Sequence, residues 1–324
     1  MIVCWGLAAL PEVLADVGTS RPLLVSTERW TELELPVAQR FHGARPHAER
    51  RGVEEAISRA AGADGLVALG GGSAIDTAKA VSAETGLPLV SVPTTYAGAE
   101  WTPYFGMRDA ERGTKVGGGG AHLAGIVYEP ALTLGLPRAE SGGTAMNALA
   151  HCAEALYVLN RTDESDAHAL AGARLIGGWL PEVLARPNDR EARTELLRGA
   201  ADAGAALAGS GLALGHAMAQ ALGGRYGLPH GALNAICLPP ALRYNQPAVP
   251  EAIDRFGHAL GTEDAIARTV ELARLGGFER LRDLDVPEDE LDEVAEATSR
   301  RPAMRLNPRP AGPAEIAELL RSVW

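Results

Sequence analysis

Leu66-Val67-Ala68-Leu69-Gly70-Gly71-Gly72-Ser73-Ala74-Ile75-Asp76-Thr77-Ala78-Lys79 reads as a buried strand, a glycine turn and the opening of a helix. In that order the three pieces make an anion site. Glycines let the backbone approach a pyrophosphate closely, while free amide N–H groups and the helix dipole face its charge. Gly70, Gly71, Gly72 and Ser73 are the candidate cradle, with Asp76 further along the helix. The spacing is not G-x-G-x-x-G, so the ordinary dinucleotide fingerprint is absent and a plain tight turn is the competing reading.

Outward from this turn, short apolar runs alternate with helix-period segments. Strands are expected at residues 23–26, 65–69, 87–92 and 124–128, with helices at 53–61 and 74–83. Such alternation predicts a parallel sheet covered by helices. Pro93-Thr94-Thr95-Tyr96-Ala97-Gly98 places two hydroxyls, Thr94 and Thr95, at another strand's carboxyl end, the edge where open α/β sheets bind ligands. Lys115 is a candidate phosphate contact or a solvated surface lysine. Thr27 follows the strand at 23–26, where a dinucleotide enzyme meets the adenosine ribose. It is neither acid nor base, so NADH and NADPH both remain open.

Beyond Leu136-Pro137 the strand-like runs stop and Ala-rich, helix-period sequence continues almost to Trp324. The expected organisation is an α/β domain at 1–137 and a helical domain at 138–324, with turns at Arg186-Pro187-Asn188-Asp189, Gly223-Gly224 and Gly227-Leu228-Pro229. In the apolar helix expected at 144–160, Asn147, His151 and Glu154 stand at i, i+4 and i+7 and share one face. A buried polar stripe needs partners. His216 and His230 are candidates to meet it, to hold a cation or to transfer a proton, while hydrogen-bonded core histidines are the plainer reading.

The chain of 324 residues suits two packed cores, and 46% hydrophobic with 22% charged residues excludes a disordered chain. Thirty Lys and Arg against 41 Asp and Glu leave a net charge of −11, so no nucleic-acid partner is expected. Cys4, Cys152 and Cys237 share no metal-type spacing and read as reduced thiols of a cytoplasmic protein. No run is long and apolar enough for a membrane helix, and the start lacks the basic region of a signal peptide, so no membrane partner is expected.

Taken together, Phe41-His42-Gly43-Ala44-Arg45-Pro46-His47, residues 70–79, Pro93-Thr94-Thr95-Tyr96-Ala97-Gly98 and Asn147-Ala148-Leu149-Ala150-His151 resemble the iron-containing (group III) alcohol dehydrogenase superfamily, most closely its maleylacetate reductases. The resemblance spans about Trp5-Gly6 to Asn245. It implies the dehydroquinate synthase-like fold: a Rossmann-like N-terminal domain, a helical C-terminal domain, NADH or NADPH in the cleft, and a homodimer. Metal-dependent relatives bind iron or zinc through an Asp followed by three His. The matching positions here are Asn147, His151, His216 and His230, and an amide lacks the charge that offsets a divalent cation.

The implied activity is reduction of maleylacetate to 3-oxoadipate, in the breakdown of aromatic compounds, without metal. In that reading His216 and His230 stabilise the enolate and supply its proton, and His151 and Asn147 orient the substrate. Arg225 or His47 is then a candidate to hold a carboxylate. A metal-dependent alcohol dehydrogenase or aldehyde reductase is the alternative, and Pro229-His230-Gly231-Ala232-Leu233-Asn234-Ala235 looks more like that branch. Two departures from the family stand out. Gln220 occupies a position where relatives carry another His, and an upstream strand is expected to be missing before Trp5.

Overall fold

The computed structural model describes residues 1–109 and 114–324. The chain divides into two compact units, Met1–Thr95 with Ala99–Thr133, and Tyr96–Gly98 with Leu134–Trp324. The long segment of the second begins at Leu134, four residues before the expected 138, and the unit also claims the short Tyr96–Gly98 segment.

The first unit contains β1 (Ile2–Trp5), α1 (Leu10–Val17), β2 (Pro22–Ser26), β3 (Gln39–Phe41), α2 (Arg50–Arg59), β4 (Gly65–Gly70), α3 (Gly72–Thr85), β5 (Pro88–Pro93), β6 (Phe105–Asp109), β7 (Thr114–Gly118) and β8 (His122–Tyr128). Six strands form a parallel sheet in the order β1-β8-β5-β4-β2-β3, and β6 pairs with β7 as an antiparallel ribbon. Strands β2 and β4 are buried along their whole length, which is why they read as continuous apolar runs and not as alternation. Successive side chains nevertheless part to opposite faces. Leu23, Leu66 and Ala68 pack with Ile75 and Ala78 of α3, whereas Leu24, Val67 and Leu69 pack with Leu10 and Val13 of α1.

Two short strands depart from the sequence reading. Ile2–Trp5 is itself a strand, not anticipated from the sequence, paired in parallel with β8 from Ile2 opposite Gly125 to Trp5 opposite Tyr128, and it forms one edge of the sheet. Strand β3 has only three half-buried residues and no apolar run to announce it; its backbone is held by β2 from Leu23 opposite Gln39 to Val25 opposite Phe41.

The second unit has nine α-helices among the described residues: α4 (Arg138–Ala155), α5 (Asp163–Ala185), α6 (Arg190–Ala208), α7 (Leu214–Tyr226), α8 (His230–Asn245), α9 (Pro250–Ala259), α10 (Ala265–Gly276), α11 (Leu291–Ser299) and α12 (Pro313–Ser322). Helix α4 is its axis, buried along almost all of 141–155. Its small residues permit that: a Cβ on Gly231 of α8 would fall 2.4 Å from the Gly143 carbonyl carbon, so the two helices touch backbone to backbone. Gly223-Gly224, expected as a turn, lies inside α7. Both glycines are buried, and a Cβ on Gly223 would sit 3.4 Å from Leu233, so packing against α8 outweighs the weak helix propensity.

Tyr96–Gly98 joins this unit through hydrogen bonds. The Tyr96 N–H donates to Thr144 Oγ1 at 3.3 Å, and its hydroxyl accepts from the buried Arg193 guanidinium at 3.1 Å.

Candidate functional site

In the first unit, the register places Ser26 beside Leu69 and Gly70 beside Pro93, so β2, β4 and β5 end side by side. Thr27, Gly70 to Ser73, Thr94 and Thr95 therefore share one edge of the sheet. Gly70 has φ +149, and its carbonyl accepts the Thr94 N–H at 3.0 Å. A Cβ on Gly71 would come 2.8 Å from Thr95 Cγ2, so the glycine is required by the neighbouring strand end as well as by any ligand. The N-terminus of α3 has no side-chain cap and no acidic residue in its first turn, which leaves its positive end open to an anion. This chemistry fits the pyrophosphate of a nicotinamide dinucleotide.

The flanking residues divide. Ser73 Oγ accepts the His47 backbone N–H at 2.9 Å, which fastens the residues around 47 to the turn. Asp76 pairs with the buried Lys79 at 2.9 Å and accepts the Gly106 N–H at 3.2 Å, so its carboxylate joins α3 to β6. Thr27 bridges to Gly43. Lys115 falls on β7, and its side chain is outside the described residues.

In the second unit, α4, α7 and α8 bring Asn147, His151, His216 and His230 together. His151 and His216 stack with centroids 4.7 Å apart and planes 11° apart, and His230 lies 5.9 Å from His216, tilted by 53°. Asn147 donates from Nδ2 to the Ala97 carbonyl at 2.9 Å, which fixes its amide, and Oδ1 accepts from Asn234 Nδ2 at 2.7 Å. That same Nδ2 is 3.1 Å from His230 Nε2. Asn147 is thus engaged at both amide ends and acts as a brace between α8 and residue 97. Glu154 receives His216 Nδ1 at 2.8 Å. His151 Nδ1, His216 Nε2 and Asn234 Oδ1 are buried without a hydrogen-bond partner in the structure, so three polar atoms within this core are left for a ligand or water. Burial, and then the neighbouring His216, push His151 well below the usual histidine value, favouring the neutral ring.

Sequence reasoning missed Asn234, although its position four residues after His230 on α8 was the available signal. It also offered Arg225 as a carboxylate holder. Arg225 instead binds Glu290 and Glu293 in a half-exposed ion-pair cluster, so its charge is already matched. Gln220 is half-buried on α7, and its carbonyl accepts from Arg301 at 3.1 Å.

The four positions lack the anionic ligand that would offset the charge of a divalent cation. Asn147 is uncharged and its oxygen already accepts from Asn234. Among the described residues, no three His, Cys, Asp or Glu side chains are grouped to hold a metal.

Residues 5–124 match the family described as iron-containing alcohol dehydrogenase, and residues 142–324 match the Fe-containing alcohol dehydrogenase family, C-terminal. Maleylacetate reductase of Pseudomonas knackmussii is 36% identical over 333 residues, covering 98% of this chain and 93% of its own. The crystal structure of maleylacetate reductase from Agrobacterium tumefaciens has a TM-score of 0.90 at 33% identity, covering 100% of this chain and 95% of that one. An iron-containing alcohol dehydrogenase from Corynebacterium glutamicum has a TM-score of 0.91 at 31% identity, covering 100% and 94%.

Proposed function

This chain is an oxidoreductase of the iron-containing alcohol dehydrogenase family, and we propose that it reduces maleylacetate to 3-oxoadipate with NADH or NADPH. The observation that carries the choice within the family is Asn147: a neutral, doubly hydrogen-bonded amide stands where metal-dependent relatives carry Asp.

A bound nicotinamide supplies the hydride. Gly70 to Ser73 and the start of α3 receive its pyrophosphate, and Thr94, Thr95 and Thr27 border that edge. Hydride addition to the conjugated carbon–carbon bond leaves an enolate that needs a compensating charge and a proton. His216 and His230 provide the imidazoles for this, and Asn147 and Asn234 hold the helices that carry them. His151, kept neutral by burial, packs face to face with His216 and orients it.

The same reading takes the protein as a cytoplasmic homodimer acting in aromatic-compound breakdown. No helix among the described residues is long and apolar enough to cross a membrane. Edge strand β1 exposes Val3 and Trp5, which favours a partner copy. Light scattering at micromolar concentration should give twice the chain mass.

The deciding experiment is NADH and NADPH oxidation against maleylacetate, short aldehydes and 2-oxo acids, with and without chelator. Turnover of maleylacetate that survives chelation is expected. Turnover of aldehydes alone, lost on chelation and restored by iron or zinc, would establish the alcohol dehydrogenase alternative that residues 229–235 favour.

A further inference from the structure

We propose that Glu154 is the positioning residue of this site: it holds the Nδ1–H of His216 and leaves Nε2 as the only nitrogen through which that ring exchanges a proton with substrate. The proposal rests on the reading that His216 faces the reacting carbon framework, and its first test is independent of the substrate's identity.

Glu154 is fully buried on α4 and receives three N–H groups from the start of α7. Oε2 accepts from the Ala213 N–H at 2.6 Å and from His216 Nδ1 at 2.8 Å, and Oε1 accepts from the His216 N–H at 3.1 Å. The two backbone groups can only donate, which favours the ionised carboxylate and assigns the proton between it and the ring to Nδ1. Room is kept for it: a Cβ on Gly215 would fall 2.9 Å from Oε1. Burial raises the Tyr157 hydroxyl and the Cys237 thiol, and the charge of Glu154 adds to both.

With Nδ1 held, the lone pair or proton of His216 points from Nε2, which is buried and has no protein partner. In turnover Nε2, bare in the resting ring, first takes up a proton from solvent and then gives it to carbon as the carbon–hydrogen bond forms, the N–H electron pair staying on the ring. Nδ1 keeps its proton throughout. A carboxylate behind an imidazole sets tautomer and ring angle in this way without touching substrate.

Glu154 also caps α7, and a cap alone would leave the tautomer free. Side-chain 15N NMR of histidine-labelled full-length protein, with the His216 signals assigned by loss in His216→Gln, separates the two roles. The expected result is a protonated Nδ1 and a pyridine-like Nε2; a protonated Nε2 with a bare Nδ1 overturns the proposal whatever the substrate proves to be.

Glu154→Gln puts an amide NH2 among N–H donors and should lower kcat about 100-fold, the scale of a positioned proton-transfer group, with KM and cofactor affinity within about threefold. A folded Glu154→Gln protein with unchanged kcat also overturns it. Should that variant not fold, the spectrum of the unmodified protein decides alone. If maleylacetate is not turned over at all, the proposed substrate fails while the tautomer still judges Glu154.

Discussion

His151 and His216 lie ring on ring, 4.7 Å between centroids and 11° between planes, with His151 only 5% exposed. Two charged imidazoles cannot share that arrangement cheaply, and burial already disfavours charge on His151. In the unfolded chain His151 takes up a proton near its ordinary value of 6.5, whereas in the folded chain it stays neutral to well below that. Stability from this group is therefore complete above pH 6.5 and is lost as pH falls from there toward the folded-state value, by at most about 1.4 kcal/mol per pH unit. Urea unfolding of the unmodified protein and His151→Gln across this range should show a shallower pH slope in the variant; equal slopes would mean that His151 protonates as readily folded as unfolded.

Gly71 and Thr95 offer a test of the cofactor edge. Gly71→Ala places a methyl 2.8 Å from Thr95 Cγ2, displacing the end of β5 and weakening nicotinamide binding by about tenfold, a cost of roughly 1.4 kcal/mol. Adding Thr95→Ser removes that methyl and should restore part of the affinity. Calorimetry with NADH and NADPH on folded proteins checks both steps, and an unaffected Gly71→Ala variant would dissociate the turn from cofactor binding.

Arg225→Ala should change KM for a dicarboxylate by less than about twofold, because its guanidinium is committed to Glu290 and Glu293 at the protein surface. Stability should fall by no more than about 1 kcal/mol, as for exposed ion pairs. A large rise in KM would return Arg225 to substrate binding.

Asn147→Asp exchanges a donor for a second acceptor opposite the Ala97 carbonyl, losing the 2.9 Å bond and setting two oxygens against each other. Without metal the variant should be less stable by about 1 to 3 kcal/mol. It should bind zinc more tightly than the unmodified protein, which is expected to carry well under one metal per chain. Thermal unfolding with and without zinc, beside metal analysis of the purified proteins, reads both effects. A metal-free variant as stable as the original would mean that the Ala97 bond contributes little.

The sequence by itself determined the elements whose cause is local. Residues 65–79 had to be strand, turn and helix, because an apolar run, three glycines and a helical period follow one another without interruption. Helical spacing likewise put Asn147, His151 and Glu154 on one face of α4. Spacing names the residues on a face but not what faces them. That Glu154 meets the start of α7 some 60 residues on, that Asn234 bridges Asn147 and His230, and that Gly71 is hemmed in by Thr95 were decided by packing across elements. Strands β1 and β3 belong to the same class: each has only three or four residues, none of them fully buried, and each exists because a neighbouring strand supplies the hydrogen bonds along its edge.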